Sequence, residues 1–131
     1  MRRATLFLST IAASAGERTM IKTVNNVAIV PMFDNNYGYI LIDKLTNSAA
    51  LVDPAEPAPI KKACDDLNLN VKMILNTHKH DDHTGGNLDL KAAYKDMHIY
   101  GPSKDGPIPG MTTQVDAGTY IFKYKSHQCI D

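Results

Sequence analysis

The sequence predicts an α/β fold in which a mixed sheet is flanked by helices. β-branched and apolar runs alternate along the chain with segments of helical periodicity, and a polar cluster follows a buried strand. With 131 residues and a mass of 14.4 kDa, the chain has the length of one domain. Hydrophobic residues make up 44% and charged residues 21%, which is typical of a globular protein rather than a disordered chain or a coiled coil.

Residues 1–19 have the composition of a targeting leader, and residues 20–131 form the predicted domain. The leader contains three arginines, several small and hydroxylated residues, and a single acid, Glu17. This composition favours a mitochondrial transit peptide. The alternatives are a secretory signal, with which its apolar stretch followed by Ala13, Ser14 and Ala15 is compatible, and a plain disordered extension. We expect a protein of the mitochondrial matrix, with a possible cytosolic form that starts at Met20.

The first part of the domain predicts a meander of three strands. Residues 20–30 are rich in β-branched side chains, and Pro31 ends this first or edge strand. A turn with Asn and Asp residues separates it from an apolar strand at 39–43. The third strand, at 49–52, ends before Pro54 because proline has no amide to donate and restricts the residue that precedes it.

The second part predicts alternating helices and strands. The apolar positions of its first segment recur at helical spacing, with charged residues between them. The predicted elements, in order, are a helix at 57–68, a buried strand at 71–77, a helix at 88–95, a short strand at 97–100, a Gly/Pro-rich loop at 101–110 and a weak strand at 120–122.

Net charge, the length of apolar runs and the spacing of the cysteines argue against several classes of partner and site. Fourteen basic and fourteen acidic residues give a formal net charge of zero, so no overall basic field attracts nucleic acid. No run of about 18 apolar residues is present, as a membrane-spanning helix would need. Cys64 and Cys129 form neither a disulfide framework nor a CxxC pair. We expect no nucleic-acid or membrane partner, and the oligomeric state is not indicated.

The residues that carry chemistry lie where the buried strand ends. Three of the five histidines, His78, His80 and His83, fall within six residues together with Asp82. The carboxyl ends of strands are where ligands collect in α/β sheets. Imidazole and carboxylate groups bind zinc, and iron or manganese also use them. The alternative is a polar loop whose histidines are solvated, which is the more usual interpretation of a single histidine. The HxHxDH run followed by two glycines instead favours a metal site.

The spacing of these ligands predicts two adjacent metal ions. His78 and His80 alternate, so on an extended or turning backbone both rings point the same way. Asp82 and His83 follow one turn later and can face a neighbouring position about 3.5 to 4 Å away, as in two-metal hydrolytic sites. His98 lies in a predicted strand, and His127 lies near the C-terminus; neither is a predicted ligand.

At these positions the sequence resembles the metallo-β-lactamase fold superfamily of metal-dependent hydrolases. The HxHxDH run carries the resemblance, and three further features narrow it to glyoxalase II, the hydroxyacylglutathione hydrolase family. These features are Asp34-Asn35-Asn36-Tyr37 before an apolar strand, Leu51-Val52-Asp53-Pro54, and Thr77 to Asn87 with its Gly-Gly-Asn ending. They occur in order from about Met20 to the C-terminus.

The resemblance implies an αββα sandwich and hydrolysis of S-(2-hydroxyacyl)glutathione, such as S-lactoylglutathione, to glutathione and a 2-hydroxy acid. It implies two divalent ions, zinc first and iron or manganese as alternatives, with His78 and His80 on one ion and Asp82 and His83 on the other. A metal-bound hydroxide would attack the thioester carbonyl. Asp82 is therefore the expected catalytic residue. Asp53 is expected to orient a ligand or, alternatively, to cap a turn before Pro54.

Two departures from the family pattern raise other possibilities. Lys79 and Asp81 occupy its variable positions, and Asp81 adds negative charge beside the site. The chain supplies four of the ligands implied by the family and none of the later ones. We therefore expect an incomplete sandwich that is inactive alone. The alternatives are a short non-catalytic metal-binding isoform, or another superfamily hydrolase such as a persulfide dioxygenase, a lactonase or a nuclease.

Overall fold

The computed structural model describes residues 21–118, which form one seven-stranded sheet with helices packed against it. The strands lie side by side in the order of the sequence. The first four are antiparallel neighbours, and the last four are parallel neighbours. Their bounds are β1 Lys22–Val24, β2 Val27–Met32, β3 Asn36–Asp43, β4 Ser48–Val52, β5 Asn70–Leu75, β6 His98–Pro102 and β7 Thr113–Val115. The structure confirms the α/β fold with a mixed sheet.

Three helices connect the parallel strands. They are α1 Pro57–Asp66, α2 Asp81–Thr84 and α3 Asn87–Ala93. Pro57 begins α1, where the missing amide of proline costs no helical hydrogen bond. No helix within residues 21–118 is long and apolar enough to cross a membrane. The helix predicted at 57–68 is confirmed, and the one predicted at 88–95 begins one residue earlier and ends two residues earlier.

One face of the sheet forms the core with α1 and α3. The alternate residues of β2 are buried, and they pack with apolar side chains of the neighbouring strands and of both helices. The fully buried members are Ala28, Val30, Met32, Ile40, Leu51, Ile60, Ala63, Cys64, Ile74, Leu90 and Ile99. The opposite face carries Tyr37 and Tyr39, which are partly exposed. The described residues therefore contain one sheet of the predicted sandwich, with helices on one side of it.

The single first strand predicted at 20–30 is wrong, because a tight turn divides it into β1 and β2. Asn25 has φ of 55°, a left-handed conformation that asparagine tolerates better than most residues. Pro31 was expected to end the strand but lies inside β2. It is tolerated there because β1 pairs with β2 only as far as Ile29, so no β1 residue lies opposite the proline. The antiparallel meander thus has four strands rather than three.

The chain after β6 also differs from the prediction. Part of the loop predicted at 101–110 belongs to β6, and a single 3-10 turn follows at Ser103–Asp105. The strand β7 was not predicted, since its three residues include only one large apolar side chain. The predicted leader at 1–19 and the predicted strand at 120–122 lie outside the described residues.

The buried thiol of Cys64 gives the fold a measurable dependence on pH. Burial raises the pKa of this thiol from 9.0 to about 11. Between these values the unfolded chain loses the thiol proton while the folded chain keeps it. Stability therefore falls as pH rises through this window.

We expect urea unfolding to show a larger loss of stability between about pH 8 and about pH 10.5 in the wild type than in Cys64→Ala, by up to ~1.4 kcal/mol per pH unit. Comparing the two chains cancels the contribution of titrating groups that do not interact with Cys64; Tyr94, which interacts with the thiol, is not among them. An identical pH dependence in both would contradict the prediction.

Candidate metal centre

The predicted ligands lie in the connection between β5 and α3, at the carboxyl end of the parallel part of the sheet. Residues 77–79 bend, and α2 begins at Asp81 directly after His80. The backbone at this point is therefore not an extended strand. On this bent backbone the rings of His78 and His80 meet edge-on.

The structure brings together His78, Asp82 and His83. A ligand atom from each of the three residues lies within 4.8 Å of the others. His83 Nε2 is 3.6 Å from Asp82 Oδ2, so the imidazole and the carboxylate face the same position. The two histidine rings approach to a centroid distance of 4.0 Å. The side chain of Asp82 is 66% exposed and that of His83 is 26% exposed, which leaves the cluster open to solvent on one side.

His80 lies beside this cluster rather than within it. Its ring meets the ring of His78 edge-on at a centroid distance of 4.7 Å, and the residue is exposed. The sequence pairs His78 with His80 and Asp82 with His83, whereas the structure groups His78 with Asp82 and His83. The distribution of the four residues over two ions stays a prediction.

Asp53 is positioned to orient His83. It follows β4 directly, with φ of 48°, and is buried. Its Oδ2 lies 3.1 Å from His83 Nδ1. When Nδ1–H donates to this carboxylate, Nε2 is left free as the ligand atom that faces Asp82. This is the contact that the expected orienting role requires, and it joins two segments 30 positions apart.

Thr77 connects Asp53 to His78, a role that the sequence did not reveal. Its backbone N–H donates to Asp53 Oδ1 at 2.8 Å, and its hydroxyl donates to Oδ2 at 2.6 Å. The hydroxyl has only one proton, which it donates to Asp53, so at 2.9 Å from His78 Nδ1 it accepts a hydrogen bond from that nitrogen. Both histidines thus carry Nδ1–H and present Nε2 as the free nitrogen.

The two glycines after the cluster allow a close backbone approach. A Cβ on Gly86 would lie 2.2 Å from the carbonyl oxygen of Pro54, and one on Gly85 would lie 2.7 Å from that of Ala55. Gly86 N–H donates to the Pro54 oxygen at 3.0 Å. Both glycines have negative φ, which other residues also adopt. Glycine is required here because a side chain would not fit in the available space. The Gly-Gly pair holds α2 against the end of β4.

Buried amides support the same segment, a role that the sequence did not reveal. Asn76 Nδ2 donates to the carbonyl oxygen of His83 at 3.3 Å. Asn87 Nδ2 donates to Asn76 Oδ1 at 2.7 Å and to the carbonyl oxygen of Pro109 at 3.0 Å. Asn76 and Asn87 are both buried. The Asn87 at the end of the Gly-Gly-Asn motif therefore serves the packing behind the site.

The donor set fits a divalent ion. Two neutral imidazoles and one carboxylate match the ligands of zinc and of other borderline metals, and three protein ligands leave a position open to water or substrate. The exposed side of Asp82 is where such a position would lie. His78, Asp82 and His83 are therefore the residues that could hold a metal ion.

The chain matches the family model of the Metallo-beta-lactamase superfamily over residues 35–121. It is 42% identical over 88 residues to a hydroxyacylglutathione hydrolase from Gloeobacter violaceus, a match that covers 66% of this chain and 35% of that protein. It is 39% identical over 89 residues to a cytoplasmic hydroxyacylglutathione hydrolase from Arabidopsis thaliana, covering 68% and 34%. The matches thus span about a third of the length of these relatives.

Solved structures share the fold. A metallo-beta-lactamase from Pontibacter korlensis superposes with a TM-score of 0.56 at 18% identity, covering 78% of this chain and 55% of that one. A metallo-beta-lactamase from Hirschia baltica gives 0.51 at 18% identity, covering 65% and 43%. These matches agree with the fold that the sequence resemblance implies.

The close approach at Gly86 predicts that Gly86→Ala destabilises the fold. The added methyl group would overlap the Pro54 carbonyl oxygen, and backbone atoms would have to move to relieve the overlap. We expect a loss of about 1–3 kcal/mol in the free energy of unfolding, measured with urea. Ala92→Ser is the control, because it adds one heavy atom at an exposed position of the neighbouring helix α3. Equal stabilities of the two variants would contradict the packing described.

Proposed function

Because the chain belongs to the metallo-beta-lactamase superfamily, we propose that its function is the metal-dependent hydrolysis of glutathione thioesters. The convergence of His78, Asp82 and His83 at the carboxyl end of the sheet carries this proposal. Identities of 39–42% to proteins named hydroxyacylglutathione hydrolase support the substrate class. S-Lactoylglutathione is the substrate that we propose to test.

The chain's own residues would bind and orient the ion. His78 and His83 offer Nε2, and Asp82 offers a carboxylate oxygen. A divalent ion held there would lower the pKa of a water molecule and polarise a carbonyl oxygen. Asp53 and Thr77 fix both imidazole rings through Nδ1, so no ring has to rotate when a ligand enters. Cleavage of a thioester releases a thiolate, a weak base, so a strong general acid is not required.

We further propose two ions, zinc first, with iron or manganese as alternatives. The position of His80 supports a second ion, since its ring lies next to that of His78 while its exposed side remains open. A second ion needs donors in addition to His80. Within residues 21–118, converging ligand atoms are found in the group of His78, Asp82 and His83. We therefore expect the group of His78, Asp82 and His83 to bind the first ion.

We expect His83→Ala to weaken Zn²⁺ binding by at least about tenfold, because it removes one of three ligands and leaves the buried Asp53 carboxylate without its imidazole partner. His98→Ala is the matched control, since His98 is an exposed histidine on β6 outside the cluster. Zinc affinity is measured by competition with a chromophoric chelator. Equal affinities of the two variants would refute this site.

The activity itself is tested by incubating the zinc-loaded chain with S-lactoylglutathione and following the release of free thiol. Thiol release that is lost in Asp82→Ala and retained in His98→Ala would support the hydrolase proposal and contradict the expectation that the chain is inactive alone. Metal binding without thiol release would overturn the hydrolase proposal for this chain and favour a non-catalytic metal-binding module. Oxygen uptake with glutathione persulfide, without thioester cleavage, would favour a dioxygenase instead.

A further inference from the structure

The three clustered residues are held to very different degrees. Thr77 fixes the ring of His78, and Asp53 fixes the ring of His83. The carboxylate of Asp82 is exposed and, among the described residues, forms no side-chain hydrogen bond; its nearest ionisable partner is His83 at 3.6 Å. The direction of the Asp82 side chain therefore depends on its backbone.

A single side chain from another element holds that backbone. Asn36, the first residue of β3, donates a hydrogen bond from Nδ2 to the carbonyl oxygen of Asp82 across 46 positions of sequence. Its other amide atom, Oδ1, accepts from the backbone N–H of Tyr37 at 2.8 Å. The same side chain thus connects the start of β3 to the helix α2 that carries Asp82.

The turn that presents Asn36 is fixed by a second contact. The backbone N–H of Phe33 donates to Glu56 Oε2 at 2.8 Å, which ties the β2–β3 turn to the start of α1. Asn36 therefore follows a turn that is hydrogen-bonded to the start of α1.

The helix α2 needs such external contacts because it has only four residues. A single turn of helix is not stable by itself, and its last carbonyl groups have no partners within the helix. Asn76 satisfies the carbonyl oxygen of His83, and Asn36 satisfies that of Asp82. Hydrogen bonds from two asparagine amides thus hold the backbone of the consecutive residues Asp82 and His83.

We propose that Asn36 is a positioning residue for the metal centre, and that it acts by fixing the backbone of Asp82 so that the carboxylate faces His78 and His83. The inference rests on the proposed metal site. It adds a residue of the β2–β3 turn that has no ligand atom within the cluster.

Asn36→Ser separates this role from a role in the turn. The serine hydroxyl can still accept from the N–H of Tyr37, but it is too short to reach the Asp82 carbonyl. Asn35→Ser is the matched control, because Asn35 is the preceding residue of the same turn and is exposed. Both substitutions are also made in an Asp82→Ala background, which gives a double-mutant cycle.

The readouts are the Co²⁺ dissociation constant and the visible absorption spectrum of the Co²⁺-loaded full chain. We expect Asn36→Ser to weaken Co²⁺ binding by about tenfold and to change the spectrum toward that of Asp82→Ala. Asn35→Ser leaves both unchanged. In the Asp82→Ala background, Asn36→Ser changes the affinity by less than about twofold, since its effect passes through Asp82. Asn36→Gln, which keeps the amide, restores part of the affinity.

Equal affinity and spectrum in Asn36→Ser and Asn35→Ser would overturn the inference while leaving the metal site in place. An effect of the same size with and without Asp82 would overturn it too. Unfolding of metal-free Asn36→Ser, seen by circular dichroism, would likewise overturn it, because Asn36 would then be a structural residue of the whole fold. Absence of Co²⁺ binding by the wild type would instead reject the proposed function on which the inference rests.

Discussion

The carboxylate of Asp53 links the end of β4, the end of β5 and the helix that carries His83. It accepts hydrogen bonds from the backbone and hydroxyl of Thr77 and from the imidazole of His83. A buried carboxylate is costly unless it is well hydrogen-bonded, and these three donors offset that cost. Because the same contacts set the orientation of His78 and His83, the stability of this corner of the fold and the geometry of the cluster depend on one side chain.

The segment behind the cluster is unusually polar for a buried region. Asn76, Thr84 and Asn87 are buried, and the amides of Asn76 and Asn87 connect the His83 carbonyl to the loop before β7. A hydrogen-bonded network of this kind fixes one arrangement, since each lost partner leaves a buried polar group unsatisfied. Together with the close contact of Gly86 and Pro54, it makes the short helix α2 a rigid support for ligands.

Most of the fold follows from periodicity. The prolines and apolar spacing of 57–68 predicted α1, and the apolar run before the polar cluster predicted β5, because burial on one face or on both leaves a clear pattern. The division of the first strand at Asn25 and the short strand β7 were missed. The turn at Asn25 interrupts a run of β-branched residues, and β7 has only three residues that pair with β6. Both features depend on contacts with neighbouring strands and leave almost no local signal in the sequence.

The sequence by itself indicated the class of fold through its strand and helix periods, and the candidate ligands through a dense run of histidine and aspartate, because both are local properties. The same run carried the resemblance to the superfamily. The tertiary structure decided which ligands converge. The chain bends at residues 77–79, and ligand atoms of His78, Asp82 and His83 converge while the ring of His80 lies edge-on to that of His78. The tertiary structure also places Asn36, Thr77 and Asn76 in hydrogen-bond contact with the segment that carries the candidate ligands. Some of these contacts join segments that are distant in sequence, and others depend on how the chain bends. They form only when the folded sheet brings the ends of its strands together.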